Sequence, residues 1–225
     1  MTVKINYKNI SSKKISHNLV LFTDDRFNLI PLRKYISKLE YYYINDLLKI
    51  SDLKKNLLIF ELNSKKKIVL VSVKKNITSS DVESLGAEFY KAVNHGKNTE
   101  YFINSDSLSG KNKNFIGHFL HGLKLKSYEF TKYKSKNKIR SIIFNVIGNK
   151  NKFPAEQKLK FKALEEGAFF ARDLVSEPGN ILHPDEYAKR LKSLKKNGLK
   201  VNIYNEKNLK KLGMNALLGV GQGSV

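Results

Sequence analysis

The run Ile68-Val-Leu-Val-Ser-Val73 constrains this chain more than any other feature. It is apolar almost throughout and mostly β-branched. Such a strand has no solvent face, so it belongs inside a sheet covered on both sides. Val3 to Tyr7 alternates apolar and polar residues, and Asn18 to Thr23 is apolar; both read as strands. Asn56 to Leu62, Tyr101 to Ile103 and Lys138 to Ile147 read the same way. Helical patterns lie between them. Ser80-Asp-Val-Glu83 fits a capping box, and Val82, Leu85, Phe89 and Val93 then line one face, with Gly96 placed to stop the helix. Phe115, Phe119 and Leu123, with Ile116 and Leu120 beside them, make another. From Arg33 to Ile50, the residues Tyr35, Ile36, Leu39, Tyr43, Leu47 and Ile50 fall at helical spacing, although a Tyr-rich β segment is the alternative. Strands alternating with helices imply an α/β layered architecture with a largely parallel or mixed sheet.

Gly148-Asn-Lys-Asn-Lys152 is polar and turn-like, and a domain boundary is expected there. Residues 1–150 then form an N-terminal α/β domain. A linker helix over 151–177 follows, with Pro154 in its first turn. Phe161, Leu164, Ala168, Ala171 and Val175 step along one of its faces, and at 1.5 Å per residue it is about 30 Å long, enough to bridge two domains. Pro178-Gly179 stops it. Residues 178–225 repeat the pattern in small. Pro184-Asp-Glu186 opens a helix, Asn197-Gly198 closes it, and Leu199, Val201 and Ile203 alternate as a strand. A short helix over Asn205 to Leu212 ends at Gly213, and Ala216 to Val220 reads as the start of another strand. That segment is too small to bury a core of its own.

The 42 basic residues against 20 acidic ones give a formal charge of +22. A basic surface can hold nucleic acid through counterion release. Yet only five of the basic residues are Arg, the type suited to bidentate phosphate contacts, and the Lys are spread along the chain. Lys, Asn and Ile enrichment is also what an AT-biased genome produces, and both readings stand. With no Cys there is no disulfide framework and no thiolate ligand. No apolar run is long enough to span a membrane, and the N-terminus does not read as a secretory signal. A cytoplasmic location is expected.

Three stretches carry a family likeness. Ala171-Arg-Asp-Leu-Val175, followed by Pro178, Asn180 and Pro184, is one. Leu212-Gly-Met-Asn-Ala-Leu-Leu-Gly-Val-Gly-Gln-Gly-Ser224 is the most specific. Gly122-Leu-Lys-Leu-Lys-Ser-Tyr128, with Phe130 and Tyr133-Lys134, is the third, and Leu85 to Val93 adds a weaker one. Together they resemble the leucyl aminopeptidases, the di-metal exopeptidases of peptidase family M17. The match departs from the family pattern at Asn215, where Gly is usual. The resemblance implies a macro-domain-like N-terminal domain with a mixed sheet, a long linker helix, and the truncated start of an α/β catalytic domain. It also implies removal of N-terminal residues from peptides by two divalent ions, manganese or zinc, in a hexamer, and for some bacterial members contact with DNA. The family's metal ligands lie beyond the Gly-Val-Gly-Gln-Gly-Ser segment, so no catalytic, cofactor-binding or metal residue carries over. The chain by itself is expected to bind no metal and to be inactive. The alternative is a basic DNA-binding or assembly module derived from the N-terminal domain.

Other features have plainer readings. His118 and His121 are three apart on a helix, a spacing able to hold a metal, but no third ligand is near in sequence. They read as packing or surface residues. His183 precedes Pro184 and reads as a turn residue. Gly219, Gly221 and Gly223 do not have the spacing of a dinucleotide loop. Tyr41-Tyr-Tyr43 reads as core and interface. A nucleotide-like ligand on the N-terminal domain rests on fold analogy alone.

Overall fold

The computed structural model describes residues 2–12, 15–95, 99–108, 110, 114–135, 141–149 and 154–222. The chain divides into two compact units, Met1–Phe170 and Ala171–Val225.

The first unit is built on a six-stranded sheet. Its strands are β1 (Thr2–Lys8), β2 (Asn18–Asp24), β3 (Leu57–Glu61), β4 (Lys67–Val73), β5 (Glu100–Asn104) and β6 (Ser141–Ile147). They lie in the order β1-β6-β5-β2-β4-β3. All pairings are parallel except the β3–β4 hairpin, so the sheet is mixed as expected. Register and the two-residue period of a strand sort the core into two layers. Leu19 pairs with Ile68 and Leu21 with Leu70; these point into one core with Leu32 and Ile44. Val20 pairs with Val69 and Phe22 with Val71; these point into the other core with Phe89 and Phe119. Ile68 through Val71 are all fully buried, which is the two-sided cover the sequence demanded.

Helix α1 (Lys38–Leu48) covers the first layer. It starts at a capping box in which Ser37 accepts from the Glu40 amide and Glu40 accepts from the Ser37 amide. The segment is helical from Lys38, and the expected face is packed only in part: Ile36 is buried and Tyr35 and Leu47 pack against the core. Tyr41 and Ile44 are buried, while Leu39, Tyr43 and Ile50 are exposed. The helix carries two apolar stripes, both at helical spacing, and periodicity cannot rank them. Buried Leu32 and Ile36 lead the chain into the helix and fix its phase.

Helices α2 (Ser79–Val93) and α3 (Phe115–Lys126) cover the second layer. Val82, Leu85, Phe89 and Val93 are buried, as are Phe115, Ile116, Phe119, Leu120 and Leu123. The capping box of α2 lies two residues before the expected one, at Thr78 and Asp81. Thr78 is the extended residue before the first turn, so its hydroxyl, not that of Ser80, meets the free amides. Glu83 is left to pair with His118 (2.8 Å). The helix ends at Val93; the expected stop at Gly96 lies outside the described residues. Thr78→Ala removes the acceptor for the Asp81 amide (3.2 Å). It is expected to lower stability by about 1 kcal/mol, read as a shifted urea midpoint at unchanged slope.

Helix α4 (Ala155–Ser176) has 22 residues, or about 33 Å. Its expected stripe holds at Phe161 but not at Leu164 or Val175. Leu164 is half exposed and Val175 is exposed, whereas Phe161 is its one buried residue. The residues facing the first unit are Phe161, Glu165 and Phe169.

The second unit contains α5 (Pro184–Ser193), α6 (Glu206–Lys211) and α7 (Asn215–Gly221). None of its described residues is buried. Arg190 ties it together locally, donating to Glu177 (3.0 Å) and Glu186 (3.1 Å). Gly198 and Gly213 close their helices as expected, both with positive φ. Two strand expectations fail. Leu199 to Ile203 has no regular structure, and Ala216 to Val220 lies inside α7. A strand needs a neighbour for its backbone groups, and no strand is described in this unit. A helix satisfies those groups locally, and Ala and Leu favour it.

Candidate functional site

Ligands of open α/β sheets bind where the strand order reverses, outside the carboxyl ends of the strands. Here the order reverses between β5 and β2, and the chain's own side chains bond across the strand ends there. Ser107 accepts from the Phe22 amide (2.8 Å) and donates to Asn104 O (2.6 Å). Ser105 donates to Ile147 O (2.9 Å), and the Asn149 amide donates to Asp106 (2.9 Å). Tyr35 reaches across to donate to Asp106 O (2.5 Å). Gly148 permits the tight approach: its φ is +111°, and a Cβ there would lie 2.6 Å from Ser105 Oγ. These bonds knit strand ends together and offer no nucleophile paired with a base.

A second concavity, about 490 Å³, lies among β1, α3 and α4. The Lys158 ammonium sits 3.5 Å from the centre of the Tyr7 ring. Burial and the Glu165 carboxylate push the Tyr7 phenol up to about 12, so it stays a neutral donor at physiological pH. Lys124 donates to Val3 O (2.7 Å), capping a carbonyl of the edge strand. His121 meets Glu165 (3.4 Å), and Lys162 lies near Glu166 (3.7 Å). Each of these charged groups has a partner within the groove. The arrangement seats α4 on the sheet; it does not assemble a reactive centre.

The sequence candidates take their places accordingly. His118 and His121 flank Phe161, each ring centre 4.9 Å from it, and each pairs with a different carboxylate. They are packing residues. His183 caps α5 through its backbone, its carbonyl accepting from the Tyr187 amide (3.0 Å). Gly219 and Gly221 lie within α7, while Gly223 is outside the described residues. Tyr41 is core; Tyr42 and Tyr43 are exposed. Among the described residues, no three His, Asp or Glu side chains converge as metal ligands would. The described residues therefore do not fit a di-metal centre. No described helix is long and apolar enough to cross a membrane. One grouping had no sequence signal: Arg33 stacks on Tyr41, eight residues away.

The first unit is a mixed-sheet α/β unit, and the described residues of the second are helices and irregular segments with no buried core. Comparison with known proteins gives that pattern a family. The model of the cytosol aminopeptidase family N-terminal domain matches residues 22–137, and that of the same family's catalytic domain matches 169–225. The chain belongs to the cytosol aminopeptidase family, peptidase M17. A probable cytosol aminopeptidase of Sinorhizobium medicae is 42% identical over 118 residues, which are 47% of this chain and 23% of that protein. One from Caulobacter vibrioides is 44% identical over 108 residues, 46% of this chain and 22% of the relative. Among solved structures, a mutant of tomato leucine aminopeptidase matches 94% of this chain and 46% of its own, with TM-score 0.69 and 19% identity. The bottromycin maturation enzyme BotP, in complex with Mn, matches 88% of this chain and 40% of its own, with TM-score 0.61 and 14% identity. Both share the fold. The chain thus spans less than half of the solved structures it resembles, and its aligned part about a quarter of the curated relatives.

Proposed function

We propose that these 225 residues are the supporting part of a cytoplasmic di-metal aminopeptidase acting on peptide N-termini. In this reading residues 1–150 are the N-terminal domain, 151–177 the linker helix and 178–225 the first elements of the catalytic domain. Two divalent ions, manganese or zinc, would be held by residues outside these 225, in a hexameric assembly. The observation that carries the reading is the order of the two family matches, with α4 between them, on a chain whose described residues offer no metal-ligand cluster.

A purified polypeptide of these 225 residues is expected to show no turnover of a leucyl p-nitroanilide with added Mn²⁺ or Zn²⁺. Metal-dependent release by that polypeptide would place ligands within it and overturn the reading. A second reading is favoured by the charge of +22: a basic module that holds DNA. Binding in a gel shift should then weaken steeply as salt rises, because counterion release drives it. Binding indifferent to salt, or none at low salt, removes this alternative.

A further inference from the structure

One concavity of the first unit, beside the N-terminus of α1, has no part in the family reading. It measures about 610 Å³ and is lined by Arg33, Ile36, Ser37, Lys38, Tyr41 and Tyr42. We propose that it binds a flat organic oxyanion: a phosphate or carboxylate carried on an aromatic ring, with Arg33 and Lys38 holding the oxygens and Tyr42 stacking on the ring. This site is independent of the metal chemistry.

The Arg33 guanidinium is held in place before any ligand arrives. Its carbon lies 4.3 Å from the centre of the Tyr41 ring, and Nη2 donates to the Tyr41 hydroxyl (3.0 Å). Tyr41 is itself 9% exposed, so the stack rests on the core. Among the described residues no carboxylate pairs with Arg33. Its remaining N–H groups keep the planar fork that suits carboxylate and phosphate. A fixed guanidinium loses less freedom on binding than a mobile one.

Glu40, on the same helix as Lys38, does not cancel this field. Glu40 Oε2 accepts from the Ser37 amide (2.8 Å), and its Oε1 pairs with Lys66 (2.6 Å). Burial opposes its ionisation, but the bonds from Lys66 and Ser37 outweigh that and hold the carboxyl below its usual range. Glu40 is thus charged yet matched by Lys66. The Ser37 hydroxyl accepts from the Glu40 amide, which leaves its O–H to donate. Ile36 supplies an apolar floor at 3% exposure, and Tyr42, 57% exposed, supplies ring surface. Two cations, one hydroxyl and an aromatic wall in a space this size fit a small ring-bearing anion.

The test is an NMR titration of the isotope-labelled 225-residue protein at about 0.15 M salt, where long-range attraction is screened. The probes are phenyl phosphate, benzoate, adenosine monophosphate, inorganic phosphate and adenosine. Saturable shifts confined to residues 30–44 are expected for the ring-bearing anions. Inorganic phosphate and adenosine should each bind about tenfold more weakly, for want of ring or charge. Benzoate against phenyl phosphate tells which oxyanion is preferred, and saturable binding of either supports the site. Arg33→Gln should weaken binding about tenfold. Tyr42→Ala should erase the advantage of phenyl phosphate over inorganic phosphate. Arg33→Gln also removes the stack on Tyr41, so Lys38→Gln serves beside it: Lys38 is exposed, and its loss should weaken the anions while leaving the melting temperature unchanged. Inorganic phosphate binding as tightly as phenyl phosphate overturns the proposal. So do shifts scattered over the lysine-rich surface, affinities unchanged in all three variants, or no saturable binding.

Discussion

Gly122→Ala is expected to destabilise the first unit by at least about 3 kcal/mol, the upper end of what overpacking costs. A Cβ at Gly122 would lie 1.9 Å from the Glu83 carbonyl oxygen and 2.6 Å from the Glu83 Cα. A flexible side chain could move aside; helix backbone cannot. The contact is reciprocal, since a Cβ at Gly86 would lie 1.9 Å from the Phe119 carbonyl oxygen. The two glycines let α2 and α3 touch backbone to backbone, and separating them would lift Phe89 and Phe119 out of register with the sheet. Helix propensity alone gives the opposite sign, because Ala is favoured over Gly by about 1 kcal/mol. Gly167→Ala isolates that term: this glycine sits in α4 with nothing within 4 Å of the added carbon. Gly167→Ala should be neutral or stabilising by up to about 1 kcal/mol, whereas Gly122→Ala should lose most of the urea midpoint. Equal midpoints for the two variants would show that α2 and α3 are not in backbone contact.

Neither close approach is legible in the sequence. Gly86 and Gly122 look like weak points in two helices, and nothing local says that each faces the other's backbone. What is legible is whatever a segment decides by itself. Ile68 to Val73 announces an inner strand because no face of it tolerates water. The faces of α2 and α3 are read correctly because each has one apolar stripe. In α1 two stripes compete, and only the buried lead-in at Leu32 and Ile36 selects Tyr41 and Ile44 over Leu39 and Tyr43. Leu199 to Ile203 has a strand's alternation, but a strand also needs a partner, which alternation cannot supply. The candidate site follows the same logic. The i, i+3 spacing of His118 and His121 is visible; that Glu83 and Glu165 would claim them separately is not. Arg33 gives no signal at all, because its stacking partner becomes adjacent only once the turn before α1 has formed.

Phe119→Ala should be the most damaging truncation in the same layer, at about 3–5 kcal/mol. Phe119 is fully buried and meets Phe22 edge-on at 5.3 Å, with Phe89 at 5.5 Å and Phe115 at 6.2 Å. It therefore joins the central strand β2 to both α2 and α3. Deleting the ring removes its transfer free energy, leaves a cavity whose walls are themselves aromatic and stiff, and forfeits an edge-to-face contact with Phe22 worth about 0.5–1.5 kcal/mol. Small domains hold only about 5–15 kcal/mol in total, so the variant should sit near the edge of folding. Leu164→Ala in α4 is the matched control, since Leu164 is 50% exposed. Its cost should stay below about 1 kcal/mol, because little buried surface is lost. The pair also tests coupling. Phe89 and Phe119 share contacts, so Phe89→Ala added to Phe119→Ala should cost less than the sum of the two alone. The second truncation enlarges a cavity already present and breaks contacts already lost. Strict additivity of the two, measured by urea unfolding, would mean that the rings do not form one cluster.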